Sequence, residues 1–263
     1  MANTKVILIG VGGATCSGKT TLAKHLRTIL PNSVIVHQDD FAPPQELIPI
    51  HPVYNVQDWD SPENAIDWRR FSQFLEKVKQ DGKMPLDHIS HDPLNEQREF
   101  PIDPECYAKW RSHFEEVERR GREDHGIEIT WALVDGFLLY WDQESMDQLD
   151  IRIFLRVQHD TLKERRRERD YYIAAQPNSD GSIWRDPPLY WEHIVWPGYV
   201  AAHKDMFENG DVESGRPTGD KMRGMLVLEN AKMSTTDVVN RCCEEIAEFQ
   251  AFPQKRNSRH HEP

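Results

Sequence analysis

One stretch near the amino end has the residue types and spacing to hold a phosphate chain. Gly13-Ala14-Thr15-Cys16-Ser17-Gly18-Lys19-Thr20 fits the pattern G-x-x-x-x-G-K-[ST] without departure. Glycines at Gly13 and Gly18 allow backbone N–H groups to turn inward toward an anion, and the helix that follows adds its positive end. Ser17, Gly18 and Thr21 extend this cradle. Lys19 would reach the β- and γ-phosphates, and the Thr20 hydroxyl would join a Mg²⁺ shell. The pattern indicates a nucleotide but not a reaction. A GTPase would carry Asn-Lys-x-Asp, which is missing from the sequence. A motor or AAA-type ATPase would place a glutamate after the acidic residue of its third strand, whereas Gly136 follows Asp135. Phosphoryl transfer to a small acceptor remains, and that chemistry needs a group to take the acceptor's proton.

Three further stretches supply candidates. Val34-Ile35-Val36-His37-Gln38-Asp39-Asp40-Phe41 reads as a buried strand ending in two carboxylates. A strand beside the phosphate loop would deliver Asp39 to the ligand crevice, as proton acceptor and Mg²⁺ neighbour. A solvated loop or a helix cap is the alternative. Trp59-Asp60 pairs an aromatic ring with a carboxylate, which suits a base stacked above a sugar whose hydroxyls need an acceptor; a packing tryptophan beside a cap would look the same. In Lys163–Tyr171, Arg165, Arg166 and Arg169 recur at helical spacing before a loop, as a phosphate-clamping lid requires. Charge runs are also commonly solvated helix faces. His88 and His91 with Asp92 have a metal-site look, but they lie in a polar, proline-containing insert, and a structural role is expected.

The elements that must position these residues follow from periodicity. Val6–Val11, Ser33–His37, Glu128–Val134, Asp150–Val157 and Met225–Leu228 are short apolar or β-branched runs, with amphipathic helical segments between most of them. This alternation predicts an α/β fold: a five-stranded parallel sheet with helices on both faces. Ser61-Pro62 predicts a helix start whose apolar stripe is Trp68, Phe71, Phe74/Leu75 and Val78. Asp103-Pro104 predicts another, carrying Tyr107, Trp110, Phe114 and Val117 up to Gly121. Ser234 with Asp237 resembles a capping box for a last helix. Gly82–Pro101, Ala174–Asp186 and Glu208–Gly224 read as irregular, and the tail Gln254–Pro263 as disordered.

Composition narrows the partners. With 44 acidic and 32 basic residues the net charge is −12, which opposes non-specific nucleic-acid binding. No apolar run is long enough for a bilayer, and the amino end lacks a signal-peptide cleavage site, so a cytoplasmic protein is expected. Cys16, Cys106, Cys242 and Cys243 have no zinc spacing and are expected as reduced thiols.

Taken together, Gly13–Thr21, Gln38–Phe41, Trp59-Asp60, Asp135–Leu139, Arg165–Tyr171 and Asp186 through Trp196-Pro197-Gly198-Tyr199 resemble the eukaryotic nicotinamide riboside kinases. These form a branch of the uridine kinase-like P-loop kinases. The pieces occur in family order over about residues 5–250, and His193–Pro197 distinguishes them from generic nucleoside kinases. The inserts look like those of fungal members. The resemblance implies a P-loop NTPase-type three-layer kinase domain over 1–253, with an insert near 82–103 and a lid near 165–188. It implies ATP and Mg²⁺, and nicotinamide riboside as substrate, with nicotinic acid riboside a further candidate. A monomer without nucleic-acid or membrane partners is expected. Asp39 takes the place of the base, with Thr20, Asp39 and Asp135 around the metal. Asp60, helped by Arg165 or Arg166, would hold the ribose hydroxyls, and Asp40 and Tyr172 would line the acceptor site. Trp59 and Tyr171 would sandwich the pyridinium ring with Asp186 nearby. Arg166 and Arg169 would contact ATP phosphates, and Glu229–Ala231, including Asn230, would lie beside adenine. Two positions depart from the human-type pattern: Trp59 replaces tyrosine, and Asp135 replaces glutamate, one methylene shorter. The rival readings are a uridine/cytidine kinase and a non-catalytic nucleotide-binding regulatory module.

Overall fold

The structure is a computed structural model that describes residues 3–92, 100–168, 185–249 and 251–252. β1 (Asn3–Gly13) leads into the phosphate loop, and α1 (Lys19–Ile29) returns the chain to β2 (Ser33–His37). α2 (Trp68–Asp81) and α3 (Pro104–Arg120) precede β3 (Ile127–Gly136). α4 (Gln143–Asp147), β4 (Ile151–Arg156), α5 (His159–Arg167) and α6 (Trp196–His203) follow. β5 (Met225–Glu229) and α7 (Thr235–Glu248) complete the order. The strands form one sheet in the order β2-β3-β1-β4-β5, and every pairing is parallel.

The five expected strands are all present. β1 is longer than its apolar run because its ends pair with β3 as well, from Asn3 opposite Ile127 to Gly12 opposite Gly136. Alternation along β1 sends Val6 and Leu8 to one face and Ile7, Ile9 and Val11 to the other. The first face packs against Phe71, Leu75 and Val78 of α2 and residues from α4 and α6. The second packs against Leu22, Leu26 and Ile29 of α1, Trp110 and Phe114 of α3, and Val238, Cys242 and Ile246 of α7. Helices on both faces cover a sheet whose inner stretches, such as Val6–Val11 and Trp131–Val134, are apolar and buried, as an all-parallel sheet requires. The α/β three-layer expectation therefore holds.

Helix starts divide. The Asp103 carboxylate accepts from the Glu105 amide at 2.7 Å, and Ser234 accepts from the Asp237 amide at 3.1 Å, so both predicted caps form. The Ser61-Pro62 start is corrected. Ser61 closes only one turn, with its carbonyl accepting from Ala65, and the helix proper begins at Trp68. Asp67 caps it by accepting from the Arg70 amide at 3.1 Å. The tail and residues 93–99 of the insert lie outside the described residues, as does most of the expected lid.

Tyr140 ties β1 to β4 beneath the phosphate loop. Its fully buried hydroxyl accepts from the Ile153 amide at 3.1 Å and reaches the Ile153 and Gly10 carbonyls at 2.7 and 3.1 Å. Tyr140→Phe leaves these backbone groups without that partner. It is expected to lower unfolding free energy by about 1–3 kcal/mol in urea titrations, with the secondary structure retained.

Candidate active site

The phosphate loop is shaped by backbone that few side chains tolerate. Gly13 and Gly18 have φ of 139° and 95°, and Cys16 sits between them at 60°. A Cβ on Gly13 would stand 2.4 Å from the Leu155 carbonyl oxygen, so β4 closes against the loop only because this residue is glycine. Lys19 opens α1 and donates to the Ala14 carbonyl at 2.9 Å, across the loop's mouth. Thr20 and Thr21 follow in the first turn. Asn230, just past β5, donates to the Ser17 carbonyl, so the segment expected beside adenine does adjoin the loop.

Direct pairing of β1 with β3 brings Asp135 to the same place. The Thr20 hydroxyl donates to Asp135 Oδ2 at 2.6 Å, and His37 Nδ1 lies 3.1 Å from the same oxygen. Asp135 Oδ1 is buried with no hydrogen-bond partner among the described residues. Burial pushes the Asp135 pKa up, but the His37 bond, Lys19 and the Thr20 bond outweigh it and hold the carboxylate below its usual range. A buried, ionised oxygen left over beside a hydroxyl is a donor set suited to a hard divalent cation. The chemistry of Thr20 and Asp135 is thus compatible with Mg²⁺.

The two carboxylates after β2 part company. The turn Gln38–Phe41 leaves Asp39 partly buried in the crevice, where burial and the Asp135 charge push its pKa up to about 6 against the pull of Lys19 and His37. Gln38 fixes the turn by accepting from the Leu138 amide at 2.9 Å. Asp40 is a correction. Instead of lining the acceptor site, it accepts from the His91 amide at 2.9 Å, and its other oxygen lies 3.3 Å from His88 Nε2. Those bonds, with one from Ser90, hold its pKa low despite burial. His88, His91 and Asp92 accordingly anchor the insert. Among the described residues no cluster of histidine, cysteine and carboxylate side chains is arranged for a metal.

Asp60 sits buried at the far side of the crevice. Tyr190 and Gly198, quoted or spanned in the sequence only as part of a family motif and with no role given, help hold it there. The Tyr190 hydroxyl donates to the Gln57 carbonyl at 2.9 Å and accepts from the Trp59 amide at 3.1 Å. Gly198 lets the Trp196-Pro197 turn press against this strand of chain, since a Cβ there would lie 2.5 Å from the Asp60 carbonyl oxygen. The glycine in the Trp-Pro-Gly run was the available signal. A narrow cleft runs between Asp60 and Ala14 and Thr15 of the loop, lined by Phe137, Trp196 and Tyr199. Trp59 is partly buried against the apolar core beside it.

Two of the three arginines of α5 reach the phosphate loop. Arg165 donates to the Cys16 carbonyl at 3.2 Å, and Arg166 to the Thr15 hydroxyl at 3.1 Å. Arg166 also grips Asp186 through two bonds of 2.6 and 3.0 Å. The structure therefore gathers Asp60, Arg166 and Asp186 at one rim. Arg169, Tyr171 and Tyr172 lie outside the described residues, and so does the partner ring expected for Trp59.

Burial pushes the Asp60 carboxyl up to about 6, helped by the charges of Asp186, Asp58 and Asp39 and opposed by Arg166. Ionising it is therefore harder in the folded chain than in the unfolded one. Its contribution to stability is complete below the unfolded value of 3.8 and is lost as pH rises through about 6. Asp60→Asn is expected to unfold at higher urea than the parent near pH 8, by about 1–3 kcal/mol. The two should converge near pH 4 when the titration is repeated.

A strand, phosphate loop and helix, an acid on the adjoining strand and a carboxylate-lined crevice define a P-loop phosphotransferase. A family model described as an AAA domain matches residues 9–185. "Nicotinamide riboside kinase" of Schizosaccharomyces pombe is 35% identical over 236 residues, 89% of this chain and 94% of that protein. Its Saccharomyces cerevisiae namesake is 32% identical over 214 residues, covering 81% and 84%. Human "Nicotinamide riboside kinase 2" is 29% identical over 238 residues, covering 90% and 85%. The chain belongs to the nicotinamide riboside kinase family, within the P-loop group that the AAA-domain model describes.

Proposed function

We propose that this chain transfers the γ-phosphoryl group of ATP to the ribose 5′-hydroxyl of nicotinamide riboside, giving nicotinamide mononucleotide for NAD salvage. Its membership of the kinase family supports the reaction. The observation that carries the acceptor is the crowding of Asp39, Asp60 and Asp186 round one crevice, against the cost that two of them bear in ionising. A ligand with a fixed positive ring relieves that repulsion, whereas a neutral uracil does not. The aromatic face of Trp59 would add about 0.5–2 kcal/mol of cation–π attraction. Each 1.4 kcal/mol of such preference corresponds to about tenfold discrimination.

In this reading the backbone of the loop, Lys19, Arg165 and Arg166 orient the triphosphate and neutralise charge on the transferring group. Asp60 accepts from the ribose 2′- and 3′-hydroxyls and fixes the sugar. The 5′-hydroxyl then faces Asp39, which takes its proton onto a carboxylate oxygen as the new P–O bond forms. A base with a pKa of about 6 is ionised at neutral pH and still basic enough to accept. Thr20 and Asp135, with Asp39 alongside, would hold Mg²⁺, which supplies charge neutralisation for the phosphate oxygens when bound. Gly136 after Asp135 leaves no residue there to activate water, which favours transfer over hydrolysis. Among the described residues no helix is long and apolar enough to cross a membrane. The four free thiols suit a reducing compartment, and the working form in this reading is a cytoplasmic monomer.

Direct detection of nucleoside monophosphates from matched nicotinamide riboside and uridine tests the acceptor; equal turnover would overturn it. Asp39→Ala is expected to lower kcat by at least about a hundredfold while ATP affinity, read by calorimetry, changes little. The kcat/KM for riboside should fall as pH drops through about 6, because protonated Asp39 can no longer take the 5′-hydroxyl proton and protonated Asp60 is a weaker hydrogen-bond acceptor for the other ribose hydroxyls.

A further inference from the structure

His37 immediately precedes the turn that carries Asp39, and the reaction as derived above gives it no task. It stands between two carboxylates from distant parts of the chain. On one side its Nδ1 lies 3.1 Å from Asp135 Oδ2. A carboxylate oxygen without a proton only accepts, so Nδ1 carries the hydrogen and donates it. On the other side Nε2 lies 3.8 Å from Asp92 Oδ2, and Asp92 is itself paired with Lys24 of α1 at 2.7 Å. Asp135 Oδ2 thus receives two donors, Thr20 and His37, while Oδ1 is buried with none among the described residues. Two bonds to one oxygen fix the rotation of a carboxyl group about its Cβ–Cγ bond.

We infer that His37 is a positioning residue: it locks Asp135 so that Oδ1 faces the divalent cation of the nucleotide complex, and Asp92 of the insert steadies the imidazole. The insert thereby becomes part of the metal-binding architecture. Without the imidazole, Asp135 can rotate, and Thr20 alone must hold it. Partners behind a metal-binding carboxylate are worth about ten- to a hundredfold in metal affinity. The shorter aspartate at 135 has less reach than a glutamate, so its orientation matters more.

The inference rests on Thr20 and Asp135 holding the cation, and the test separates the two claims without using the riboside. Mn²⁺ serves as a paramagnetic probe, titrated into the full chain with a non-hydrolysable ATP analogue and followed by electron paramagnetic resonance. In the parent chain, Mn²⁺ affinity that drops on Asp135→Ala supports the metal assignment; no such drop overturns both claims. His37→Ala is expected to weaken Mn²⁺ about tenfold or more, with metal-free nucleotide affinity unchanged. His37→Asn, which keeps an N–H donor near the Nδ1 position, should recover affinity to within about threefold of the parent, and Asp92→Asn should fall between. In an Asp135→Ala background, His37→Ala should add nothing. Unchanged Mn²⁺ affinity in His37→Ala overturns the inference, as does equal loss in His37→Ala and His37→Asn, which would mark a packing role. Should His37→Ala fail to fold, His37→Leu against His37→Asn makes the same comparison.

Discussion

Everything at this site follows from β1 and β3 being hydrogen-bonded neighbours in register. Gly12 stands opposite Gly136 and Val11 opposite Asp135, so the strand that ends in the phosphate loop lies one strand spacing from the strand that ends in an acid. Parallel pairing delivers both carboxyl ends to the same edge of the sheet. The Thr20–Asp135 bond spans that gap. Sliding the register by one residue would turn Asp135 to the opposite face of the sheet and leave Thr20 without it. The buried layers on both faces hold the register, and Tyr140 reinforces it from below by joining β1 to β4.

The edge so formed concentrates charge that water does not fully screen. Lys19, Arg165 and Arg166 gather round the loop, with Asp135 bonded to Thr20 and Asp186 to Arg166, and Asp39 and Asp60 close by. Asp135 is held ionised by its bonds, whereas Asp39 bears the cost of burial and of the Asp135 charge, and Asp60 that of burial and of the Asp186, Asp58 and Asp39 charges. Asp39 and Asp60 therefore sit at an electrostatic cost, which a triphosphate on one side and a cationic ring on the other would offset in the proposed reaction. Ligand preference in this reading comes from the unfavourable state of the free protein as much as from contacts made in the complex.

The strands were legible in the sequence because each is a short apolar run between helical periods, and the phosphate loop because its glycines and Lys19-Thr20 sit at fixed spacing. Asp103 and Ser234 were legible as caps because the chemistry of a cap is local. Ser61-Pro62 imitated such a start, but Asp67, adjoining the stripe, makes the bond. Asp39 and Asp40 were not separable by sequence. Consecutive residues in a tight turn of about three residues point some 120° apart, which sends one into the crevice and the other toward His88 and His91. The roles of Tyr190 and Gly198 were not legible, although Gly198 stands in a quoted motif, because each acts on a segment far away in the chain. The phenol meets the Trp59 amide across 131 positions, a closeness that only the assembled fold creates.

The clasp formed by Tyr190 and Gly198 has a bearing on how such an enzyme can diverge. The chain from Gln57 to Asp60 is fastened by the Tyr190 hydroxyl and the close approach of Gly198, together with bonds to Gln45 and Pro49, and none of these belongs to the sheet or to the phosphate loop. The wall that meets the nucleoside is in this sense a detachable panel on a fixed engine. Its aromatic or acidic residues can be exchanged with the machinery for the triphosphate untouched. New acceptors can then arise by refitting the panel, so long as the hydroxyl and the missing side chain that hold it are kept.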